Sequence, residues 1–556
     1  MDAALLLMMA LPSERPNFLV LFVDDLGYDE INLAPARRPA LGGYSGYGGR
    51  VQTPALAALA EEGMVFDSWY SGWHLCSPSR AACLTGRLPP RTGIDSVGSS
   101  VLTSAAVGGL PANETTFAEA LRDGANYSTA MVGKWHLGVR DEFMPSNRGF
   151  QEYYGVPYSA DMGLSPWWTD PSGWGPASPL VPLPLVEGTD TGGWRVVEQP
   201  TLLQNLTARY VERGKSFIAR SSSSSSGSSG GDGGGRQPWV LYMAFAHVHN
   251  PQFCGREWCG SSSVTGKGAA VPSGHGGTGS AVQEMDWAVG QLLAQLKESG
   301  VDEQTLVFFT SDNGAPASHD AASPHDARGG ANAPLSGFKG SVLEGGIRMP
   351  AMARWPGKIA AGSRSSELVA TYDIYATMLA LAGVAAPLPL PTAAAGEEGA
   401  GGGQGRPRVI DGIDLSPVLL GRPGARGHTC LFQYYSGALL AAVRCGKYKL
   451  RFDLDPIALY DLDADVAEQR PLPNNTAAWA AVVANITAAR DAHLRTVVPV
   501  QDQLALGSDA RYALCAAPDS QARYPQFPNC TLNPENWAPP WNASAGAAWG
   551  AAEPRV

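Results

Sequence analysis

The chain has 556 residues, of which 44% are hydrophobic and 16% charged, and its 51 acidic and 40 basic side chains give a net charge of −11. This length can form two domains with a sizeable core. The acidic balance argues against nucleic acid or an anionic membrane as the main partner, so an anionic substrate would require a local basic pocket.

The N-terminal residues admit two interpretations. Residues 3–11 form an apolar run of the length found in signal peptides, but Asp2 precedes the run and no basic residue does. Residues 1–15 are therefore either a signal peptide or a ragged gene-model start. No apolar run approaches the roughly 20 residues that cross a bilayer, so no transmembrane segment is expected.

Four short apolar runs, each followed by polar residues, predict buried strands. They are residues 18–23, 130–132, 239–246 and 306–311. Continuous apolar runs are typical of strands buried on both faces of a largely parallel sheet. Ligand sites in open α/β sheets lie beyond the carboxyl ends of such strands. The polar residues after the four runs therefore predict one shared site.

Helical patterns lie between the predicted strands. Residues 53–63 favour a capped helix, and residues 283–296 carry apolar side chains at helical spacing. Strands that alternate with helices indicate a doubly wound α/β domain. Two low-complexity insertions, residues 221–235 and 385–405, interrupt this pattern and are expected to be surface loops.

The last part of the chain predicts a smaller antiparallel domain. Its expected strands are residues 430–435, 439–444 and 448–452. The first two are predicted to form a hairpin around Ser436 and Gly437. We therefore divide the chain into a catalytic domain, residues 16–425, and a C-terminal domain with its tail, residues 426–556.

Residues 75–87 contain the most specific motif, Leu-Cys-Ser-Pro-Ser-Arg-Ala-Ala-Cys-Leu-Thr-Gly-Arg. Pro78 suits the first turn of a helix, where its missing N–H needs no partner, and Gly86 suits the helix end. Cys76 would then lie at the helix N-terminus, where backbone donors and the helix dipole favour a bound anion. The alternative is an ordinary buried or disulfide-bonded cysteine before a short helix.

Candidate hard-metal ligands follow two of the predicted strands. Asp24 and Asp25 follow the first apolar run, and Asp312 and Asn313 follow the last. Carboxylate and amide oxygens are the ligands that Ca²⁺ and Mg²⁺ require. Each pair alone is also typical of a loop start or a turn.

A different metal is the alternative interpretation of His247 and His249. Their His-x-His spacing could hold zinc, which would need a third nitrogen or sulfur ligand. The neighbouring oxygen ligands and basic residues argue against zinc.

The motif C-x-P-S-R-x-x-x-L-T-G at residues 76–86 resembles the signature of the sulfatase family, and the similarity covers most of residues 16–465. It is strongest to the arylsulfatase A and N-acetylgalactosamine-6-sulfatase branch. Further matching segments are residues 133–138, 156–159, 247–253, 337–340, 344–348, 413–417, 446–449 and 536–540. The resemblance implies an alkaline-phosphatase-like α/β fold, in which a mixed, largely parallel sheet is flanked by helices and a smaller C-terminal domain contains an antiparallel sheet.

The resemblance also implies the reaction and its cofactors. A formylglycine-generating enzyme would oxidise Cys76 to formylglycine, whose hydrate attacks the sulfur of a sulfate ester, helped by Asp312. The family's divalent metal is usually Ca²⁺, with Mg²⁺ as the alternative. Its ligands would be Asp24, Asp25, Asp312, Asn313 and the formylglycine oxygen at Cys76.

Other matched residues would balance charge and transfer protons. Arg80, Lys134 and Lys339 would offset charge on the sulfuryl oxygens. His249 or Lys339 would protonate or stabilise the leaving oxygen, and His136 would take the proton of the second hydroxyl.

Three matched residues, Ser159, His249 and Lys339, would also contact the substrate. Ala160 stands where relatives often carry histidine, and the glycine-rich segment at residues 28–50 is longer than expected. These departures leave the natural substrate open.

Two other functions fit the same sequence. A phosphate or phosphonate monoester hydrolase of the same fold would use similar metal ligands and basic residues, since the esters have similar shapes. A catalytically silent secreted relative would keep the fold, although such proteins usually lose a site residue and every candidate is present here. The sequence also leaves a homo-oligomer open.

Seven N-x-S/T sequons favour the secretory pathway, with an extracellular or a lysosome- or vacuole-like destination. They begin at Asn113, Asn126, Asn205, Asn474, Asn485, Asn529 and Asn542. Eight cysteines are compatible with that route. The locally plausible pairs are Cys254 with Cys259, Cys430 with Cys445, and Cys515 with Cys530, with Cys83 left free, although spacing alone does not fix this connectivity.

Overall fold

The structure is a computed structural model. It describes residues 15–38, 42–95, 101–163, 183–223, 236–264, 277–317, 330–385, 408–436, 439–498 and 500–514. The predicted N-terminal run and most of both low-complexity insertions lie outside these residues, as does the tail after residue 514.

Strands and helices are interspersed through the first 382 residues, and four strands and two α-helices follow in the described part of the chain. The strands are β1 (Asn17–Val23), β2 (Met64–Phe66), β3 (Trp69–Tyr70), β4 (Ser128–Gly133), β5 (Glu152–Gly155), β6 (Leu185–Thr189), β7 (Gly193–Glu198), β8 (Trp239–Ala244), β9 (Thr305–Ser311), β10 (Met352–Arg354), β11 (Ser363–Ser365), β12 (Val369–Ala370), β13 (Cys430–Tyr434), β14 (Leu440–Cys445), β15 (Tyr448–Arg451) and β16 (Ala458–Asp461). The helices are α1 (Gly46–Gly49), α2 (Pro54–Glu62), α3 (Cys76–Thr85), α4 (Pro89–Thr92), α5 (Phe117–Ala125), α6 (Leu206–Ser223), α7 (Thr278–Glu298), α8 (Glu344–Ile347), α9 (Asp373–Ala382), α10 (Ser416–Leu419) and α11 (Ala477–Leu494).

Ten strands form the main sheet in the order β11-β2-β10-β9-β1-β8-β4-β5-β6-β7. The five central strands, β9, β1, β8, β4 and β5, run parallel. β10 joins one side of this group antiparallel, and the β6–β7 hairpin joins the other. The expected mixed, largely parallel sheet is confirmed.

The four predicted apolar runs become the neighbouring strands β9, β1, β8 and β4. Phe18 of β1 pairs with Val240 of β8 on one side and with Leu306 of β9 on the other. Every residue of β1 and β9 is buried, which explains why their sequences are continuously apolar. β8 ends at Ala244, two residues before the predicted end of the run.

The helices form two groups that pack among themselves. Helices α2, α6 and α7 make one group, and α3, α5 and α9 make the other. Both helices predicted from periodicity are present as α2 and α7. Asp286 of α7 accepts hydrogen bonds from the amides of Ala55 and Leu56, at 3.0 and 2.8 Å, and so satisfies donors at the start of α2.

A second, antiparallel sheet has the order β13-β14-β15-β16, and α11 packs on it. The predicted hairpin is present, with Cys430 paired opposite Cys445. Cys430–Cys445 and Cys254–Cys259 are disulfides, whereas Cys76 and Cys83 are free and buried. The third expected pair, Cys515 with Cys530, lies outside the described residues, and the domain boundary at residue 425 stays a prediction.

Candidate active site

The polar residues that follow β1, β4, β8 and β9, the four strands predicted from apolar runs, meet at one edge of the main sheet. Asp24 and Asp25 follow β1, and Asp312 and Asn313 follow β9. Neighbouring parallel strands place these ends side by side, and the amide of Asp25 donates to Asp312 Oδ1 at 3.0 Å. Side chains almost 290 positions apart in sequence therefore share one buried cluster.

Cys76 is the first residue of α3 and reaches the same cluster. Its Sγ lies 3.5 Å from Asp24 Oδ1 and 4.0 Å from Asp25 Oδ1. Gly86 ends the helix in the left-handed conformation, with φ of 69°, as the motif predicted. Cys76 is only 1% exposed, and burial raises the pKa of its thiol.

Carboxylate oxygens of Asp24 and Asp25 and the amide oxygen of Asn313 form a site that fits a hard cation. One ligand atom from each of Asp24, Asp25, Cys76 and His249 lies within 4.8 Å of the others. Asn313 adds a second observation, because its Nδ2 donates to Asp25 Oδ1 at 2.6 Å while its buried Oδ1 has no hydrogen-bond partner among the described residues. A buried acceptor without a donor is costly, and a bound cation would satisfy it.

Asp312 is held by the protein itself. Its Oδ2 accepts from Arg80 Nε at 3.1 Å and Arg80 Nη2 at 2.9 Å, while Oδ1 accepts from the Asp25 amide. Arg80 also donates to the carbonyl of Lys134 at 3.0 Å. Burial and the nearby Asp24 raise the pKa of Asp312 to about 6, although Arg80 works against that shift.

Lys134 and Asp24 form a buried ion pair. Lys134 Nζ lies 2.6 Å from Asp24 Oδ2 and also donates to Ser159 Oγ at 3.1 Å. Burial opposes ionisation of Asp24, but Lys134 and Arg80 hold the pKa of its carboxyl well below the usual range. Asp24 is therefore ionised and available to a cation.

Lys339 and His249 lie on the other side of the aspartates. Lys339 Nζ is 2.8 Å from Asp25 Oδ1 and 3.0 Å from His249 Nε2. His249 Nδ1 is 2.7 Å from the Asn250 carbonyl, so this nitrogen carries the proton and Nε2 accepts from the lysine. Although burial opposes the charge, Asp25 raises the pKa of Lys339 well above its usual value.

His136 is positioned as a neutral proton acceptor. Its Nε2 donates to the Leu102 carbonyl at 2.9 Å, and within the described part of the chain its buried Nδ1 has no partner. Burial, reinforced by Lys134 and Arg80, holds the pKa of His136 well below 6.5. Its backbone is left-handed, with φ of 63°, which non-glycine residues rarely adopt outside functional sites.

The zinc alternative is not supported by the directions of the two histidines. His247 Nε2 lies 2.7 Å from Thr207 Oγ1 and 3.1 Å from Glu284, whereas His249 contacts Lys339 and the aspartates. The two imidazoles therefore have separate environments.

The structure thus brings the predicted catalytic and metal-binding side chains into one cluster, and it adds two groups that the sequence did not reveal. The Leu102 carbonyl fixes the tautomer of His136, and Asp161 lies beside His249 with its Oδ1 4.0 Å from Nδ1. A backbone carbonyl leaves no sequence signal. Asp161 lies two positions after the candidate Ser159, and its own sequence context carries no signal of a functional role.

The described sequon asparagines lie apart from this cluster in exposed positions. Asn113, Asn126, Asn205, Asn474 and Asn485 are exposed, and Asn529 and Asn542 lie outside the described residues.

Comparison with known proteins agrees with this site. A family model described as Sulfatase matches residues 16–384, and a second, described as the C-terminal region of aryl-sulfatase, matches residues 453–532. The chain belongs to the sulfatase family. Human arylsulfatase A is 37% identical to this sulfatase over 463 residues, which cover 81% of this chain and 78% of that protein. Canine N-acetylgalactosamine-6-sulfatase is 32% identical over 533 residues, 88% of each chain.

The family resemblance seen in the sequence is therefore confirmed, and this protein is a sulfuric ester hydrolase. A sulfatase from Pseudoalteromonas sp. superposes with a TM-score of 0.66 and 25% identity, covering 89% of this chain and 92% of its own. A phosphonate monoester hydrolase from Agrobacterium radiobacter has a TM-score of 0.54 and 18% identity over 86% of this chain and 95% of its own, which shows a shared fold alone. Within the described residues, no helix is long and apolar enough to cross a membrane.

Proposed function

We propose that this sulfatase hydrolyses sulfate monoesters by means of a formylglycine made from Cys76, with Ca²⁺ held by Asp24, Asp25, Asp312 and Asn313. The position of the Cys76 thiol, 3.5 Å from Asp24 at the start of α3, supports this proposal most strongly. The formylglycine hydrate would supply the attacking oxygen, and Ca²⁺, or Mg²⁺ as the alternative, would offset the developing negative charge.

Three cations of the site would bind the sulfuryl oxygens. Arg80 and Lys134 are completely buried, and the Lys339 side chain is 11% exposed. Each is fixed by a carboxylate, so these cations need little rearrangement when the substrate binds. This cluster supplies the local basic pocket that an acidic protein needs for an anionic substrate.

Two histidines would handle protons on opposite sides of the site. His136 Nδ1, which has no hydrogen-bond partner among the described residues, would accept a proton from the nucleophilic side, because the Leu102 carbonyl holds the other ring proton. The pair of Lys339 and His249 would stabilise or protonate the leaving oxygen, with Ser159 contacting the substrate next to Lys134.

We also propose that the protein enters the secretory pathway, where a formylglycine-generating enzyme would act on it, and reaches an extracellular or lysosome-like compartment. Exposure of the five described sequon asparagines supports this route, because glycosylation requires accessible acceptors.

The test combines mass spectrometry of the Cys76 peptide with turnover of phenyl sulfate, using protein from a eukaryotic secretory host. We expect an aldehyde or its hydrate at position 76, and we expect Cys76→Ala to abolish turnover. Cys83→Ala is the matched control, because Cys83 is a second buried free cysteine of α3. An intact thiol in active enzyme, or faster turnover of phenyl phosphate than of phenyl sulfate, would contradict the proposal.

A further inference from the structure

Asp161 is a buried carboxylate that the proposed mechanism does not use. It lies in the short helix Ala160–Met162 directly after Ser159, and its side chain is 4% exposed. Its Oδ1 is 4.0 Å from His249 Nδ1, beyond hydrogen-bond distance. Among the described residues this oxygen has no hydrogen-bond partner.

Two polar side chains close to Asp161, His249 and Ser159, have other hydrogen-bond contacts. His249 Nδ1 donates to the Asn250 carbonyl at 2.7 Å, while Ser159 Oγ accepts from Lys134 Nζ at 3.1 Å and lies 3.4 Å from His249 Nδ1. A buried carboxylate oxygen that receives no hydrogen bond from the described residues is costly, and water or a ligand can supply the missing donor. Within the described part of the chain, Asp161 therefore presents an acceptor without a donor next to the histidine assigned to the leaving oxygen.

We propose that Asp161 accepts a hydrogen bond from a free hydroxyl on the alcohol part of the ester. The preferred substrates are then sulfate esters of polyhydroxylated alcohols, as in carbohydrates, with a hydroxyl close to the sulfated oxygen. This inference rests on the proposed function, because it takes His249 to mark the leaving-group side. A site that hydrogen-bonds a substrate hydroxyl discriminates strongly against analogues that lack it.

Aromatic rings near Lys339 fit the same class of alcohol. Phe338, which precedes Lys339, is 46% exposed, and Tyr435 is 39% exposed. Tyr435 stacks on His74 with ring centroids 5.3 Å apart, and the His74 carbonyl accepts from the Gly340 amide at 2.9 Å. Exposed aromatic surface can pack against the C–H face of a ring, while Asp161 takes a hydroxyl from its edge.

The competing explanation is that Asp161 acts through His249. In that case its charge would orient the imidazole or favour its protonation, and every ester with a poor leaving group would depend on it equally. The two explanations make opposite predictions about substrates that differ by one hydroxyl.

The experiment compares three esters with wild-type enzyme and Asp161→Ala. The probes are 2-hydroxyphenyl sulfate, which carries a hydroxyl donor, 2-methoxyphenyl sulfate, which has no donor, and phenyl sulfate. We expect Asp161→Ala to lower kcat/KM for the hydroxylated ester about 10- to 100-fold relative to the other two, since the lost hydrogen bond involves a charged acceptor. Asp161→Asn, which retains an acceptor oxygen, should give a smaller selective loss.

The outcomes separate this inference from the function beneath it. Equal losses on all three esters, with a shifted pH profile, would overturn the inference and identify Asp161 as a positioning residue. Unchanged ratios in both variants would overturn it as well. If wild-type enzyme turned over none of the esters, the proposed function would fail first. Thermal unfolding and formylglycine content, measured for each variant, exclude misfolding or incomplete maturation as the cause of a loss.

Discussion

Replacing Lys449 should weaken the attachment of the C-terminal sheet to the catalytic domain. Lys449 lies on β15 with no solvent exposure, and its Nζ is 3.0 Å from Glu344 Oε1 and 2.9 Å from Glu468 Oε1. It also donates to the Val342 carbonyl at 2.7 Å. Val342 and Glu344 come three and five positions after Lys339. The ammonium of Lys449 therefore connects the second sheet to a segment that contributes to the active site.

The expected cost follows from the two carboxylates that Lys449→Met would leave behind. Removing one partner of a buried ion pair typically costs about 3–5 kcal/mol, a large part of the roughly 5–15 kcal/mol that stabilises a domain. At about 3 kcal/mol per M in urea, the unfolding midpoint should fall by about 1–1.7 M. Arg348 and Arg444 would still contact Glu344, so the loss should stay within this range.

The pH dependence of that cost can be predicted in sign. Burial opposes ionisation of Glu344, yet Lys449 and its neighbours hold the pKa of this carboxyl at about 2. Burial raises the pKa of Glu468, and Lys449 limits the rise. Without the lysine both folded-state pKa values rise. At low pH, protonation of Glu344 and Glu468 then removes their unpaired negative charges. We therefore expect Lys449→Met to lose more stability at pH 8 than at pH 5.

Urea unfolding, followed by fluorescence at both pH values, is the assay. Lys447→Met is the matched control, because Lys447 precedes the same strand but its side chain is 44% exposed, and we expect no measurable change. Adding Glu468→Gln to Lys449→Met should restore part of the stability. An unchanged midpoint for Lys449→Met, or a larger loss at pH 5 than at pH 8, would refute this reasoning.

Three further predictions concern a buried histidine, the metal and the sugar chains. Burial opposes protonation of His428, but Asp373, whose Oδ1 lies 2.8 Å from His428 Nε2, raises the pKa of this histidine. The stabilisation from the ion pair is therefore complete below pH 6.5 and is lost as the pH rises through the higher pKa of the folded state. We expect His428→Gln to lower the free energy of unfolding more at pH 5.5 than at pH 8.5. Asn313→Ala should reduce the calcium content of the protein, measured by inductively coupled plasma mass spectrometry after removal of metal with a chelator and addition of limiting Ca²⁺. Equal calcium content in the variant and the wild type would exclude Asn313 as a ligand. Treatment with peptide N-glycosidase F, which converts glycosylated asparagine to aspartate, should lower the mass of protein from a secretory host. If none of the five exposed sequon asparagines were converted, the proposed route would be contradicted.

Much of the fold was predictable because burial leaves a strong signal in this sequence. The strands β1, β4, β8 and β9 contain apolar runs that are followed by polar residues, so both their existence and the edge that holds the site follow from the pattern. The motif around Cys76 predicts both the start of the helix and its end at Gly86, because proline and glycine favour particular backbone conformations.

Other features could not be predicted, because their partners are distant or their signal is generic. Lys449 lies in a short strand with two basic residues among four, a pattern that suggests solvent exposure, and only the assembled structure reveals the two glutamates around it. The β6–β7 hairpin lies at a sheet edge and alternates in burial, which gives a weaker signal than the central runs. In the sequence, Asp161 cannot be distinguished from an ordinary surface aspartate. Its position becomes informative only when the hydrogen-bond partners of His249 and Ser159 are known.

Under the proposed conversion of Cys76 to formylglycine, the burial of this residue would fix the order of maturation and folding. Its thiol is 1% exposed and enclosed by residues from the ends of strands that are synthesised far apart in time, the last of them after residue 305. An enzyme that needs to hold this cysteine in its own active site can reach it only while the chain is still unfolded. Maturation and folding would therefore compete, and molecules that fold first would remain permanently unmodified. Conditions that slow folding should then raise the fraction of active enzyme, even though they lower the yield of folded protein.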